Sequence, residues 1–225
     1  MNQTNAATTS ATTVPKPKII IVIDTEFESS NMMNGNFLQL GLVAILDDCE
    51  LVNTTDTTDK PWLVDTLSVC FLEQEGKLKE KSAVQFWKKF RDVYQRIKDE
   101  SGPPVEKMRD VQIWLNDLAE SYEIVSFMAD ISCVDFTWFR NLYLTYCVNM
   151  KRDKFQMPYK ALCQYSMEEA LVLSGVSKDE IYDFYQSDHL PHTHYALDDA
   201  IKCAYEFLRL KLFIQTRKLK LSRET

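Results

Sequence analysis

The sequence predicts an α/β fold: one domain with a mixed sheet flanked by helices. Three observations carry this. The run Ile19-Ile20-Ile21-Val22-Ile23 is continuously β-branched, the pattern of a strand buried on both faces. Three strand patterns come first, and helical periodicities then alternate with a further strand. The 225 residues are 45% apolar, and no linker or internal repeat divides them, which suits a single sizeable core.

Residues 1–17 are rich in Thr, Ala and Asn with no charge before Lys16, and read as a disordered leader. The fold is expected over 18–216, with a basic tail over 217–225. Strands are expected at 18–23, Phe37–Leu46 and Leu63–Leu72, and the polar stretch Asp47–Lys60 reads as a long hairpin connection. Ser82 is placed to cap a helix whose Phe86, Phe90, Tyr94 and Ile97 form one buried stripe, ended by Gly102-Pro103-Pro104. A second helix follows over Val105–Ser121, with Met108, Val111, Trp114, Leu115 and Leu118 inward. Ile124–Met128 is a short strand. Further helices are expected over Asp135–Val148, 165–174, 177–186 and from Ala196 to about Thr216.

The balance of 26 Lys and Arg against 33 Asp and Glu, a formal charge of −7, disfavours a binder of long duplex DNA. It does not exclude a nuclease whose acidic residues hold cations. Six scattered cysteines without a Cys-x-x-Cys pair read as reduced thiols, and no apolar run is long enough to span a bilayer. The expectation is a soluble intracellular protein, in cytoplasm or nucleus.

Three elements point to chemistry. Asp24-Thr25-Glu26 stands at the end of the buried run, where acids are costly unless paired or bound to a cation. Hard oxygen ligands of this kind suit Mg²⁺ or Mn²⁺. On a regular strand the two carboxylates are expected on opposite faces, converging only through a twist or bulge. The second element holds two aspartates. Asp135 opens an amphipathic helix with Trp138, Phe139 and Leu142 on its apolar face and is favoured as the metal-facing acid. Asp130, at the strand exit, is adequately explained by an Asx turn. The third is His194-Tyr195-Ala196-Leu197-Asp198-Asp199-Ala200. Small residues flank Asp199 and let its helix sit close to the sheet, turning Asp199 inward and Asp198 toward solvent. His189, His192 and His194 are the only histidines, and a zinc site built on them is a rival reading.

In order, Asp24-x-Glu26, Asp135 at a helix start and His194-x-Ala196-x-x-Asp199 resemble the three motifs of the DEDDh family of 3′–5′ exonucleases. Gln39-Leu40-Gly41 looks like that family's Gln-Ile-Gly element. The sequence departs from the pattern at Ala129-Asp130, where the family usually has a pair such as His-Asn, and at Phe27-Glu28, which replaces Thr-Thr-Gly. The resemblance implies a ribonuclease H-like fold and two Mg²⁺ or Mn²⁺ ions held by Asp24, Glu26, Asp135 and Asp199. It also implies His194 as general base, and hydrolysis at the 3′ end of single-stranded RNA or DNA to release 5′-mononucleotides. A catalytically silent nucleic-acid-binding module of the same fold is the alternative. Phe27, next to two expected ligands, is a candidate to stack on a terminal base. The six basic residues from Arg209 to Arg223 read as a solvated helix end rather than a strand contact.

Overall fold

The computed structural model describes residues 15–29, 31, 34–52, 60–147, 154–185 and 190–224, with side chains to 217. Six strands form one sheet in the order β4-β3-β2-β1-β5-β6. They are β1 (Lys18–Phe27), β2 (Phe37–Leu46), β3 (Leu63–Phe71), β4 (Ser101–Gly102), β5 (Glu123–Ala129) and β6 (Leu162–Cys163). β1, β2 and β3 pair antiparallel, while β4, β5 and β6 join in parallel, so the sheet is mixed as expected.

β1 is the hydrophobic centre. Ile19 to Ile23 are each at most 2% exposed. Ile19, Ile21 and Ile23 face a cluster built on α3 (Pro104–Ser121) and α4 (Asp135–Tyr146), with Met108, Leu115, Phe136 and Phe139. Ile20 and Val22 face the other way, onto Ala200, Ala204, Phe207 and Leu208 of α7 (Ala196–Glu224). A strand covered on both faces has no polar side to show, which is why its sequence does not alternate.

Several elements differ from expectation. The helix expected from Ser82 is two helices, α1 (Lys81–Lys89) and α2 (Arg91–Asp99), parted at Phe90, whose φ of −114° and ψ of 46° leave helical geometry. The first begins after Glu80 rather than at Ser82. Glu80 is anchored there by its N–H to the Glu28 carbonyl and by a Ser29 hydroxyl bond of 2.9 Å. Ser101 and Gly102 do more than end a helix, since they pair with β3. Two-residue strands such as β4 and β6 are too short to carry a period. In the expected long connection after β2, Cys49–Val52 forms a 3₁₀ turn, and 53–59 lie outside the described residues. Shorter helices cover Gln164–Leu173 (α5) and Lys178–Tyr185 (α6), and α7 continues well past Thr216. The expected leader falls mostly outside the described residues. None of the six cysteines, all among the described residues, is in a disulfide, and among the described residues no helix is long and apolar enough to cross a membrane.

One contact sets where α7 begins. Gln39, fully buried on β2, accepts the Ala196 N–H through Oε1 at 3.0 Å and donates through Nε2 to the Ser68 hydroxyl at 3.0 Å. The side-chain oxygen satisfies one of the unpaired N–H groups of a helix N-terminus. Two residues along, Gly41 leaves the space that the helix occupies: a Cβ there would stand 2.2 Å from the Ala196 carbonyl oxygen and 2.6 Å from the Leu197 nitrogen. Those are backbone atoms, so the clash cannot be relieved by a rotamer. Gly41→Ala should therefore destabilise the fold by about 1–3 kcal/mol, the usual cost of overpacking. Thermal unfolding measures this, and a wild-type melting temperature would show that α7 is not held this closely.

Candidate active site

Asp24 and Glu26 lie within β1, not beyond it. The expectation that they need a bulge to converge is corrected: residues two apart on a strand share a face, and these continue the Ile20–Val22 face toward α7. A register shift does occur between Glu26 and Phe27 in the pairing with β2, beyond the pair rather than between them. Asp24 stands opposite Gly41 and Glu26 opposite Gln39, so the two acids flank the seat of α7. From α7, Asp199 completes the group: one carboxylate oxygen from each of Asp24, Glu26 and Asp199 lies within 4.8 Å of the others. Asp199 is 3% exposed and Glu26 13%.

Asp199 also shapes the segment before its helix. Its two carboxylate oxygens accept the backbone N–H groups of Thr193 at 2.7 Å and His194 at 2.8 Å. That pair of bonds holds His194 in the left-handed region at φ 59°, a conformation costing about 1–2 kcal/mol for a residue with a Cβ. The imidazole is thereby set between Phe86 and Phe90, with ring centroids at 4.8 and 4.1 Å, and its Nδ1 stands 4.0 Å from Glu26 Oε1. That is an approach rather than a hydrogen bond. The break at Phe90 has its use here, turning that ring onto His194. Burial, with a smaller contribution from His192, lowers the His194 pKa below its ordinary value, and Asp199 opposes this. His192 is half exposed, with Nδ1 3.3 Å from Asp199 Oδ2. His189 lies outside the described residues.

The two aspartates of the second element are separated by β1. Asp135, 9% exposed, accepts the Thr25 hydroxyl at 2.6 Å. Thr25 continues the Ile19–Ile21–Ile23 face, so Asp135 reaches the site from the α4 side. Asp130 instead lines, with Asp24, Asp199, His192, Lys202 and Glu168, a cavity of about 290 Å³. The placement of Asp130 and Lys202 in that cavity carries no local signal, because it depends on how α5 and α6 fold back against α7. Phe27 packs at the edge of the core, its ring stacked on Trp138 at 5.6 Å and its carbonyl accepting Trp87 Nε1 at 3.2 Å.

Electrostatically the group is unfavourable as it stands. Burial raises the Asp24 carboxyl well above the usual range, and Asp135, Glu26, Asp199 and Asp130 push the same way. Glu26 is likewise raised well above its usual value, by burial and then by Asp199 and Asp135. Burial raises Asp135 to about 6, although the Thr25 hydroxyl bond pulls it down. Among the described residues no Lys or Arg forms an ion pair with Asp24 or Glu26. Buried like charges without a counter-charge are sustained only by protonation or a cation. Oxygen donors on a rigid strand and helix fit a small divalent ion.

The molecule is thus an α/β domain with a mixed six-stranded sheet, its fold matching that of ribonuclease H-like exonucleases, and with an acidic cluster where the central strand meets its last helix. Among solved structures it is similar to cell-death related nuclease 4, with TM-score 0.58, 15% identity, and cover of 87% of this chain and 64% of that one. It is also similar to the nuclease domain of 3′hExo, a DEDDh family member, bound to rAMP (TM-score 0.53, 15% identity, 90% of this chain and 94% of that one). A third is S. pombe Pop2p in its Mg²⁺- and Mn²⁺-bound form (TM-score 0.53, 15% identity, 87% and 83%). This chain spans less than two thirds of the length of cell-death related nuclease 4. At such identity the likeness is one of fold. No protein-family model and no curated protein sequence matches the chain.

The charge cluster makes stability depend on pH and metal together. A carboxyl whose pKa is raised by folding favours the folded state below its unfolded pKa of about 4, and that contribution is lost as pH rises through the folded value. Freed of metal by chelation, the protein should lose stability from about pH 4 through the Asp135 value of about 6. Mn²⁺ should raise the melting temperature more at pH 7.5 than at pH 5, and Asp24→Asn should stabilise the chelated protein at neutral pH. Equal melting temperatures for wild type and Asp24→Asn in chelator would remove the uncompensated charge from the account.

Proposed function

We propose that this chain is a divalent-metal-dependent 3′–5′ exonuclease that hydrolyses phosphodiester bonds at the 3′ end of single-stranded nucleic acid and releases 5′-mononucleotides. The observation that carries the reading is the convergence of Asp24, Glu26 and Asp199 within 4.8 Å, Asp199 buried and the other two half-buried, with no Lys or Arg ion pair to them among the described residues and a histidine 4.0 Å from Glu26. The fold supports it: similar structures include a nuclease, a nuclease domain bound to rAMP and a protein bound to Mg²⁺ and Mn²⁺. A 3′-exonuclease described for 3′-end specific recognition of the histone mRNA stem-loop is a further neighbour of the fold.

In this reading Asp24, Glu26 and Asp199, with Asp135 from the α4 side, would hold two Mg²⁺ or Mn²⁺ ions, which when bound would supply Lewis-acid chemistry to an attacking water and to the phosphate. The residues divide the remaining work. His194 accepts the proton of the water, and it can do so at neutral pH because burial keeps its imidazole uncharged. Phe86 and Phe90 limit the orientations of that ring, and the two N–H bonds to Asp199 fix the backbone that carries it. Phe27 offers a ring at the core edge against which a terminal base stacks.

A second reading has one observation in its favour: nitrogens of His192 and His194 and an oxygen of Asp199 also lie within 4.8 Å of one another, a set that zinc would accept. Both readings require Asp199, and they separate by metal content and by which metal restores activity after chelation. A catalytically silent binding module would bind an oligonucleotide without shortening it.

Stepwise shortening of a 5′-labelled single strand in Mg²⁺ or Mn²⁺, stopped by chelation, is the direct test. Asp24→Asn and Asp199→Asn, which keep one acceptor oxygen, should lower turnover by orders of magnitude with the circular dichroism spectrum unchanged. His194→Ala should lose about 10²–10⁴-fold in rate while retaining metal binding. The wild-type rate should rise with pH through a value below the ordinary imidazole 6.5, and that limb should vanish in the variant. Near wild-type rates in both carboxylate variants would falsify the metal-dependent reading.

Phe27 is tested separately. Phe27→Ala should raise KM for oligonucleotides, a stacking loss of roughly 1–3 kcal/mol. If the ring serves only Trp138, melting temperature falls and KM does not.

A further inference from the structure

The outer face of α1 and α2 carries charge that the carboxylate site does not use. From Lys79 to Arg91 the chain places five basic side chains, Lys79, Lys81, Lys88, Lys89 and Arg91, against the single acid Glu80, in a protein of net charge −7. Lys79, Lys88 and Arg91 line a cavity of about 500 Å³ together with Glu28, Trp87 and Tyr94. The acid in that set is already engaged. Glu28 is 2% exposed, accepts the Tyr94 hydroxyl at 2.6 Å and pairs with Lys79 at 3.3 Å. Lys79 is drawn further toward Glu73, at 2.7 Å. Lys88 and Arg91 are exposed and form no ion pair among the described residues.

The groove is linked to the site through its Trp87 wall. The indole donates from Nε1 to the carbonyl of Phe27, the residue after Glu26, at 3.2 Å. The same indole packs edge-on against Phe86 at 5.2 Å, and Phe86 in turn lies 4.8 Å from His194. A polyanion approaching this molecule meets a mostly acidic surface, so a local basic face beside the cleft decides where it can be held.

We propose that this α1–α2 groove binds the phosphate backbone of the single strand whose 3′ end enters the carboxylate site, with Lys88 and Arg91 each neutralising a phosphate. The inference rests on the exonuclease reading for the direction of the strand. The released product is one nucleotide, so contacts to further phosphates act on the strand that is retained. They hold it between cleavage events and give the enzyme a preference for substrates longer than the terminal pair.

The experiment is fluorescence anisotropy of the full chain with a labelled oligothymidylate in Ca²⁺, repeated over a range of salt concentration. Each phosphate contact on a single strand contributes about 0.7 to the slope of log affinity against log salt. The double variant Lys88→Ala/Arg91→Ala should therefore bind severalfold more weakly, with a slope smaller by about 1.4. The variant Lys154→Ala/Lys178→Ala, which removes the same charge elsewhere, should leave the slope unchanged. Hydrolysis of thymidine 5′-p-nitrophenyl phosphate, which is too short to reach the groove, should proceed equally in the Lys88/Arg91 variant and wild type. An unchanged slope in the Lys88/Arg91 variant, or an equal drop in the control pair, overturns the groove. Groove-dependent binding by a wild-type protein that cleaves neither substrate would instead overturn the exonuclease reading and leave the groove standing.

Discussion

The seating of α7 on β2 through Gln39 and Gly41 is the contact on which the site depends. Gln39 supplies the acceptor for the first buried N–H of the helix, and Gly41 supplies the missing Cβ that lets the helix backbone touch the sheet. Because β2 pairs with β1 in a register that sets Gln39 beside Glu26 and Gly41 beside Asp24, the same two residues fix how far Asp199 stands from both acids. Ala196 and Ala200, both fully buried, extend the close approach along the helix.

The core accepts an electrostatic cost at that junction. Asp24, Glu26 and Asp135 are each shifted toward protonation by burial and then by neighbouring carboxylates, so the fold without cations works against its own site. What holds the arrangement is the apolar framework on either side: Ile19, Ile21 and Ile23 under α3 and α4, and Ile20 and Val22 under α7. A strand buried on both faces tolerates strain at its end because its position is over-determined along its length. Pre-organised carboxylates of this kind bind a cation without reorganising when it arrives, which is the physical value of storing the repulsion.

His194 shows the same economy on a smaller scale. Its left-handed backbone, its aromatic neighbours and the N–H bonds to Asp199 form one unit, so that the acid facing the cluster also orients the imidazole. Phe86 from α1 and Phe90 from the break between α1 and α2 both reach this unit. Lys88 and Arg91, on the same two helices, are exposed, while the acids of the cleft come from β1 and α7.

Much of this was legible in the sequence. An unbroken β-branched run can only be a strand covered on both faces, the apolar periods of 104–121, 135–146 and 196–216 follow from helical geometry, and acids at the end of a buried run are costly enough to announce a site. The inward turn of Asp199 was legible too, from the small residues around it. Other features depended on neighbours distant in the chain. The side of β1 that Asp135 occupies is set by α4 packing on Thr25, the exposure of Asp130 to the cavity by α5 and α6, and the contact of Phe90 with His194 joins residues about a hundred apart in the chain. Local sequence encodes periodicity and the cost of burying charge, because both act over a few residues. The convergence of three carboxylates within 4.8 Å belongs to the tertiary structure, since it arises only where a glycine on one strand admits the first turn of a helix 155 residues further on, Gly41 against Ala196.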